Sequence, residues 1–525
     1  MKLVLFDLGQ TLEDGDVLLP GAFEALTDIA ELQDGDGNPV LLGLASDFDE
    51  PAQQYYDILE NLGIRAFFEP VDTHVTLSGE VGVHKPAREF FVRAVAKANP
   101  ALTFADVLFI TENPAHIAAA RTLGLNAVQV RPPGGGGGDI GSLSELLPRV
   151  QEFAGADWVR LGDTVLRRDA ARSASRARPA QLRLVVQHGR LYQKAHPDVA
   201  VLSDKGRYLV VDVGPDPSDD VTDDDFPCYS VRDVPWGSAV FETRRRIARE
   251  PDPAVQKYVD AVSAERYELD LRKLVEFGTR HSTSAQFGQA ADWAQSELEA
   301  AGYRTRTQTI DVGGRTSRNV IAERDGSAPT PRDVVLVTAH LDSINLAGGP
   351  AAPAPGADDN GSGSAGVLTI ARAVQHHSGR HDVRFILFGG EEEGLFGSLA
   401  YVAGLSATER SRIRAVVNMD MIATLNTADP TVLLEGATVS QRVVDGLADA
   451  AHTYTGLTVQ TSLNPFNSDH VPFIDQGIAA VLTIEGADGA NDHVHSAADT
   501  MEFIDIHLAV EILRMNVAFV TAALG

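Results

Sequence analysis

The fold of the C-terminal half is decided by the stretch VVLVTAHLDS at residues 334–343, where an unbroken apolar run ends in a histidine. Short apolar runs of this kind are typical of strands buried on both faces of a parallel sheet. Outward from this stretch, further strand-type runs alternate with helix patterns. The strand-type runs are VRFILFG (383–389), AVVNMD (415–420) and AAVLTIE (479–485), and the helix patterns lie at 363–377, 438–454 and 505–524. The alternation predicts a doubly wound α/β domain over residues 251–525.

Metal-binding residue types follow these strands at the points where the strands end. They are His340, Asp359, Glu391, Glu392, Asp420 and His495. Ligands of open α/β sheets bind beyond the carboxyl ends of the strands, so residues far apart in the chain are expected to converge there. Two imidazoles and three carboxylates suit two zinc ions with one carboxylate shared, and a further carboxylate beside a ligand supplies a general base. Asp342 and Asp499 follow the two histidines closely and are expected to orient their rings.

Taken together, these motifs resemble those of the co-catalytic di-zinc aminopeptidases, the bacterial leucyl-type family that is related to the glutamate carboxypeptidases. The motifs are TAHLDS, GADDNGSG, GGEEEGLFGS, NMDMI, SDHVPF and HSAADT, with FGTRHS at 277–282 and RNVIAE at 318–323. The resemblance covers residues 252–525 and implies a zinc-exopeptidase fold. It implies His340 and Asp420 on one zinc ion, Glu392 and His495 on the other, and Asp359 bridging the two.

The resemblance also implies a reaction, namely hydrolysis of the N-terminal peptide bond of a substrate with a free N-terminus. Two zinc ions would activate the attacking water, and Glu391 would be the general base that passes its proton to the leaving amine. Several relatives carry a tyrosine before the last histidine ligand, or elsewhere in the pocket, to stabilise the oxyanion, whereas this chain has Val494 there. Another donor, or zinc alone, is then expected to do so. The alternative is a carboxypeptidase or a glutaminyl-cyclase-type variant of the zinc fold, although a cyclase would use one zinc.

A second alternating pattern precedes residue 132. Its strand-type runs lie at 2–6, 40–45, 107–111 and 127–130, and its helix patterns lie at 22–32, 87–97 and 115–123. This alternation predicts another doubly wound α/β domain, with Rossmann-like topology, over residues 1–132.

The polar residues of this N-terminal domain occur in FDLGQTL, LASDF, GVHKP and FITENPAHIAAARTLGL. They resemble the motifs of haloacid dehalogenase-like (HAD-like) hydrolases, which need an aspartate nucleophile, a Ser or Thr and a Lys for phosphate, and an acidic cluster for magnesium. The resemblance places Asp7, Ser46, Lys85 and Glu112 at those positions. The chain departs from the pattern at Gly9, where phosphatases of this type carry an aspartate as general acid. We therefore expect weak or no phosphatase activity from a domain that would use Mg²⁺, and a magnesium-dependent phosphatase with an accessory peptidase domain is the alternative.

Two segments separate these domains. RPPGGGGGD (131–139) contains five consecutive glycines, which predict a flexible linker at 133–150. Residues 151–250 include the strand-type runs LRLVVQHGRLYQ and RYLVVDV, which predict a small β-rich, antiparallel segment to which the sequence assigns no function.

Composition limits the partners. The 525 residues include 73 Asp and Glu against 44 Lys and Arg, and the net charge of −29 argues against nucleic acid and anionic lipid as ligands. A single cysteine, Cys228, excludes an internal disulfide. The N-terminal apolar run is interrupted by Asp7, and no stretch reaches the roughly 18 uninterrupted apolar residues of a membrane helix. We therefore expect a cytoplasmic enzyme that acts on peptides, with no nucleic-acid or membrane partner.

Overall fold

The computed structural model describes residues 1–15, 17–32, 34, 38–131, 138–154, 158–162, 164–167, 181–213, 228–236, 238–244, 246 and 250–525. The structure is mixed α/β with parallel strands, as predicted. It divides into two compact units. The first comprises Met1–Val159, Arg167–Asp169 and Trp236–Ser238, and the second comprises Arg160–Leu166, Ala170–Pro235 and Ala239–Gly525.

The first unit is built on a five-stranded, wholly parallel sheet. The strand order is Val75–Leu77, Leu41–Ser46, Leu3–Phe6, Val107–Thr111 and Asn126–Gln129. Separate apolar clusters cover the two faces of the sheet, so helices pack on both sides of it. The helices are Ala22–Ala30, Ala52–Asn61, Val71–His74, Ser78–Val81, Arg88–Ala98, Pro114–Leu123 and Leu146–Ala154. Asp7 follows the central strand, at the edge where the other strands also end.

The structure differs from the prediction at the linker. Its first residues, 133–137, lie outside the described part of the chain. Residues 138–150 belong to the first unit, where Ile140, Leu143, Leu146 and Val150 are buried in its core. The apolar spacing of these four residues is that of a helix face, and the preceding glycine run obscured it in the sequence.

The second unit contains an eleven-stranded mixed sheet. Its order is Arg304–Val312, Arg315–Arg324, Asp382–Phe388, Val334–His340, Ile413–Met419, Ala480–Glu485, Thr431–Glu435, Thr458–Ser462, Ser238–Thr243, Trp158–Leu161 and Thr164–Arg167. The four adjacent strands from Asp382–Phe388 to Ala480–Glu485 run parallel to one another. Their carboxyl ends therefore meet at one edge, and this edge carries the predicted metal-binding residues.

Helices cover both faces of this sheet and bury two apolar clusters against it. They are Pro253–Val259, Ala264–Val275, Ala285–Ala300, Gly363–Ala373, Phe396–Ala403, Ala407–Arg412, Gln441–Tyr454, Val471–Asp475 and Ile506–Leu524. The last helix is long and apolar enough to cross a membrane, but 67% of its most apolar window is buried inside the domain. Its composition is thus explained by its place in the core.

A second, four-stranded antiparallel sheet belongs to the same unit. Its order is Ala200–Lys205, Tyr208–Asp212, Leu182–Gln187 and Tyr229–Asp233, and we call it the small sheet. The short helix Leu191–Ala195 follows its strand Leu182–Gln187. Val185, Tyr192, Leu209 and Val211 form its own apolar cluster. Residues 168–180 and 214–227 of the predicted β-rich segment lie outside the described residues.

Candidate metal centre

The predicted ligands converge at the carboxyl edge of the parallel strands. His340 is the last residue of its strand, Asp420 directly follows Ile413–Met419, and Glu392 follows the turn after Asp382–Phe388. Asp359 lies in the turn before helix Gly363–Ala373, and His495 lies in the loop after Ala480–Glu485. Four of these residues are at least nine-tenths buried, and His495 lies in a loop at the same edge. The strand topology brings all five together.

Asp359 lies between the two histidines. Its Oδ1 is 3.4 Å from His340 Nε2, and its Oδ2 is 3.1 Å from His495 Nε2. His340 Nε2 is also 3.1 Å from Asp420 Oδ1, and His495 Nε2 is 3.1 Å from Glu392 Oε2. The atoms therefore form two groups of three possible ligands that share Asp359.

This donor set fits two divalent ions. Imidazole nitrogen and carboxylate oxygen are the ligand types that zinc accepts, and three protein ligands per ion leave a position open. Several buried polar atoms nearby, among them Glu392 Oε1 and His495 Nδ1, have no hydrogen-bond partner among the described residues. Buried polar atoms without partners are costly, which favours a charged group bound at this place.

The electrostatics favour the same conclusion. Burial raises the pKa of Glu392, and the neighbouring Asp359 raises it further. Burial alone would raise the pKa of Asp359 too, but hydrogen bonds from His340 and His495 hold it well below its ordinary value. Carboxylates therefore outnumber basic side chains at this site, and a bound cation would balance their charge.

Asp499 and Asp342 support the cluster in different ways. Asp342 accepts a hydrogen bond from the backbone N–H of Glu392 at 3.1 Å, and its own backbone carbonyl oxygen is 3.2 Å from His340 Nδ1. Asp499 does not orient His495. Its two carboxylate oxygens accept from the backbone N–H groups of Asp358 and Asp359, each at 2.9 Å. It therefore fixes the turn that presents the shared carboxylate.

Glu391 and Glu393 have distinct environments although they are two residues apart. Glu391 Oε2 lies 3.9 Å from His340 Nε2, and burial together with the charges of neighbouring carboxylates raises its pKa well above the ordinary value. Glu393 accepts from Ser282 Oγ at 2.7 Å, with His281 Nδ1 at 2.9 Å, and together with burial its charge raises the pKa of Asp342. Of these two glutamates, Glu391 is the one that lies beside a ligand, His340.

Arg280, of the FGTRHS motif, anchors the turn that leads to Asp359. Its buried guanidinium donates to the backbone carbonyls of Leu274, Leu341, Pro355 and Gly356. Burial lowers the pKa of Arg280 to about 10, so it remains a cation at neutral pH. Its hydrogen bonds are made to carbonyls, so its role is to hold the backbone.

The small sheet approaches the same edge, which the sequence did not predict. His188, which directly follows strand Leu182–Gln187, is buried, and its ring centroid is 6.4 Å from that of His495 and 5.5 Å from that of Phe466. Burial and the charge of Arg207 lower the pKa of His188 to about 3, so its imidazole is neutral. No local periodicity marks such a residue, because its importance depends on contacts between distant segments.

A buried ion cluster joins the small sheet to the loops of the site. The Arg207 guanidinium donates to both carboxylate oxygens of Glu435 at 2.9 and 3.0 Å and to Asp488 at 3.0 Å, and Tyr208 donates to Glu435 at 2.7 Å. The nearby Glu485 is outside this cluster and accepts hydrogen bonds from Thr424 and Asn426.

The HAD-like candidates also come together, within the first unit. Lys85 Nζ forms an ion pair with Asp7 and donates to the carbonyl of Ala45 at 2.8 Å. Ser46 Oγ is 2.5 Å from the hydroxyl of the buried Tyr55. Glu112 is connected to Asp7 through Thr111, whose Oγ1 lies 3.1 Å from Glu112 Oε2 and 3.2 Å from Asp7 Oδ2.

Comparison with known proteins agrees with the C-terminal geometry. Residues 319–520 match the family model of Peptidase family M28. Leupeptin-inactivating enzyme 1 of Streptomyces exfoliatus is 35% identical over 217 residues, which are 40% of this chain and 45% of that protein. A probable leucine aminopeptidase 1 of Trichophyton verrucosum is 28% identical over 292 residues, which are 51% of this chain and 76% of that protein. A probable zinc metalloprotease of Leptosphaeria maculans is 27% identical over 329 residues, with the same two coverages.

Among solved structures, the aminopeptidase from Aneurinibacillus sp. strain AM-1 is similar over 51% of this chain and 96% of its own, with 18% identity and a TM-score of 0.44. The chain spans less than half of the Streptomyces relative and about three quarters of the two fungal ones. The family match and these relatives support the prediction of a zinc-dependent metalloaminopeptidase, and residues 319–520 carry the similarity to Peptidase family M28.

Proposed function

We propose that this protein is a two-zinc aminopeptidase that hydrolyses the N-terminal peptide bond of peptides with a free N-terminus. The observation that carries the proposal is the position of Asp359, whose two oxygens face His340 and His495 separately. A carboxylate placed in this way is suited to bridge two ions.

His340 and Asp420 would hold one zinc ion, Glu392 and His495 the other, and Asp359 both. Zinc bound here would supply Lewis acidity that polarises a carbonyl and lowers the pKa of water. Ser468 supports this arrangement, because its hydroxyl donates to Asp420 Oδ2 at 2.8 Å and leaves Oδ1 facing His340. Asp342 and Asp499 would hold Glu392 and Asp359 in place through the backbone contacts described above.

Glu391 is proposed as the general base. It lies beside the ligand His340, and its raised pKa suits a group that must take a proton from water and give it to an amine at neutral pH. The reaction balances without a further reactant, because the proton taken from the water is the one delivered to the leaving amine. Its neighbour Glu393 is already engaged by Ser282 and would not exchange protons with substrate.

The requirement for a free N-terminus is supported by the relative from Trichophyton verrucosum, a probable leucine aminopeptidase 1. The zinc-exopeptidase fold and the predicted cytoplasmic localisation are parts of the same proposal.

The first unit is proposed to be a HAD-like module with weak or no phosphatase activity. Its parallel sheet and the Asp7–Lys85 pair support the HAD-like assignment. Ser46 is already hydrogen-bonded to Tyr55, and Gly9 offers no side chain as a general acid, which supports weak phosphate binding and weak protonation of a leaving group. A magnesium ion at Glu112 is not required by the observed contacts.

The proposal is tested with the full chain, loaded with zinc and assayed on a panel of amino-acid p-nitroanilides beside their N-acetylated counterparts. We expect cleavage of the free amines only, lost after treatment with a strong chelator and restored by zinc. Cleavage of the acetylated substrates, or of C-terminally free peptides from their carboxyl end, would overturn the assignment. Cyclisation of N-terminal glutamine with one bound zinc per chain would favour the glutaminyl-cyclase alternative.

A further inference from the structure

The small sheet contacts the metal centre through His188, whose ring centroid lies 6.4 Å from that of His495. We infer that His188 is a catalytic residue that donates a hydrogen bond to the oxyanion formed at the scissile carbonyl. The inference rests on the proposed function. It assigns a role to the segment for which the sequence suggested none.

The proposed reaction needs a hydrogen-bond donor for the oxyanion. Hydrolysis of an amide places negative charge on the carbonyl oxygen, and preorganised donors stabilise it. The two ligand groups consist of three carboxylates, which only accept when ionised, and two imidazoles that would be used as ligands; Glu391 beside them is a further carboxylate, and the Ser468 hydroxyl already donates to Asp420. A further neutral donor would complete the site.

His188 has the properties of such a donor. Its side chain is at least nine-tenths buried, and its Nε2 has no hydrogen-bond partner among the described residues. Its ring is 6.4 Å from that of His495, so it lies beside the ligand group that contains His495 and Glu392. A buried ring nitrogen without a partner is costly unless a ligand satisfies it.

The backbone around His188 is held in place by close contacts to the loop that carries His495. Gly189 has a φ of +50°, and a Cβ there would lie 2.8 Å from Val494 Cγ2 and 3.0 Å from the carbonyl oxygen of Asn491. A Cβ on Gly489 would likewise lie 2.3 Å from the backbone of Gly206. Approaches this close require glycine and fix the sheet against the loop.

Arg207 fixes the same arrangement from the other side. Its bidentate pair with Glu435 and its contact with Asp488 are fully buried. Because the pairs join the small sheet to strand Thr431–Glu435 and to Asp488, His188 is presented by a rigid support. A rigid support is what preorganised oxyanion stabilisation requires.

The test compares His188→Ala and His188→Gln with the matched control His196→Ala. His196 lies on the same sheet, with its Nε2 3.0 Å from the Tyr229 hydroxyl. With leucine p-nitroanilide as probe, we expect His188→Ala to lower kcat by about 10²–10³-fold with little change in KM. His188→Gln, which keeps an N–H donor, should recover part of the loss, and His196→Ala should have the wild-type kcat.

A binding readout separates this role from a structural one. The phosphonic-acid analogue of leucine, a tetrahedral anion, should bind His188→Ala much more weakly than wild type, whereas leucine should bind both equally. Zinc content should be the same in all variants. Wild-type kcat in a folded His188→Ala variant would overturn the inference, as would increased activity, which would mean that the sheet blocks the site, or lost zinc, which would make His188 a ligand. If the wild type neither cleaves the p-nitroanilide nor binds the analogue, the proposed function fails first.

Discussion

In both units an aspartate lies just beyond the carboxyl end of a buried parallel strand. Asp7 in the first unit is paired with a cation, whereas Asp420 in the second unit lies among other carboxylates. Asp7 in the first unit has Lys85 as an ion-pair partner, and Leu8 and Thr111 donate to it at 3.0 and 3.2 Å. Burial would raise the pKa of Asp7, yet His116 and Lys85 hold it below its ordinary value. Here the chain itself supplies the cation.

Asp420 in the second unit lies among carboxylates. Glu391, Glu392 and Asp359 are all buried close to it, and the nearby Arg280 is occupied by backbone carbonyls. The same unit neutralises another buried acidic pair, Glu435 and Asp488, with Arg207. Buried carboxylates that the chain does not neutralise therefore mark the place where an external cation would bind. A buried cluster whose charges are paired within the chain, such as that of Arg207, stabilises the fold.

The largest effect is expected from Glu391→Gln. This change keeps the shape of the side chain but removes the base, so we expect kcat on amino-acid p-nitroanilides to fall by about 10²–10⁴-fold. Zinc content, measured by atomic emission, should not change. Glu299→Gln is the control, since Glu299 is exposed and contacts Thr305 and Gln295 on the surface. Near-normal activity of Glu391→Gln would exclude the proposed mechanism.

Arg207→Met tests the neutralised cluster. The change leaves Glu435 and Asp488 buried without a counter-charge, and we expect the free energy of unfolding to fall by about 3–5 kcal/mol. Chemical denaturation followed by hydrogen exchange of strand Tyr208–Asp212 would measure it. Arg190→Met is the control, because the Arg190–Asp492 pair is half-exposed with an N–O distance of 4.0 Å and should contribute at most about 1 kcal/mol. An equal loss of unfolding free energy in Arg207→Met and Arg190→Met would contradict the larger contribution expected of the buried pair.

The sequence predicted the strands and the residues at their ends because apolar runs are local and a parallel sheet collects its strand ends at one edge. His340 and Asp420 are candidates on that ground alone, whereas the choice of Glu392 rather than Glu391 as a ligand depends on the resemblance to the zinc aminopeptidases. Arg207 could not be found in this way, since its partner Glu435 is 228 residues further along the chain. His188 follows a strand in the manner of His340, but the small sheet gave no indication of which surface it contacts.

The partners of Asp499 show that sequence spacing can mislead even over four residues. Its spacing from His495 suggested an imidazole partner, but His495 has a φ of 56°, so the chain turns sharply there. The turn directs Asp499 to the backbone N–H groups before Asn360 instead. A spacing rule holds within a regular element and fails across a turn whose dihedral angles the sequence does not reveal.

Asp7→Asn tests the pair that the first unit neutralises internally. The change leaves Lys85 buried without its ion-pair partner and should destabilise strands Leu3–Phe6 and Leu41–Ser46 by about 1–3 kcal/mol, measured by hydrogen exchange on the full chain. Because the folded pKa of Asp7 is below its unfolded value of about 3.9, its contribution is complete above that pH and is lost as the pH falls towards the folded pKa. The difference between wild type and variant should therefore shrink in acid. A difference that grew on acidification would contradict the lowered pKa.

The smallest effect is expected in a phosphatase assay of the first unit. Since Ser46 is bonded to Tyr55 and Lys85 is already paired with Asp7, a phosphate group would have to displace existing contacts before it could bind. Wild type with Mg²⁺ should then hydrolyse p-nitrophenyl phosphate no faster than Asp7→Asn. A magnesium-dependent rate that Asp7→Asn abolishes would show that an internally neutralised cluster can still open for chemistry. It would also remove the contrast between the two units, because charge balance would no longer separate a structural cluster from a reactive one.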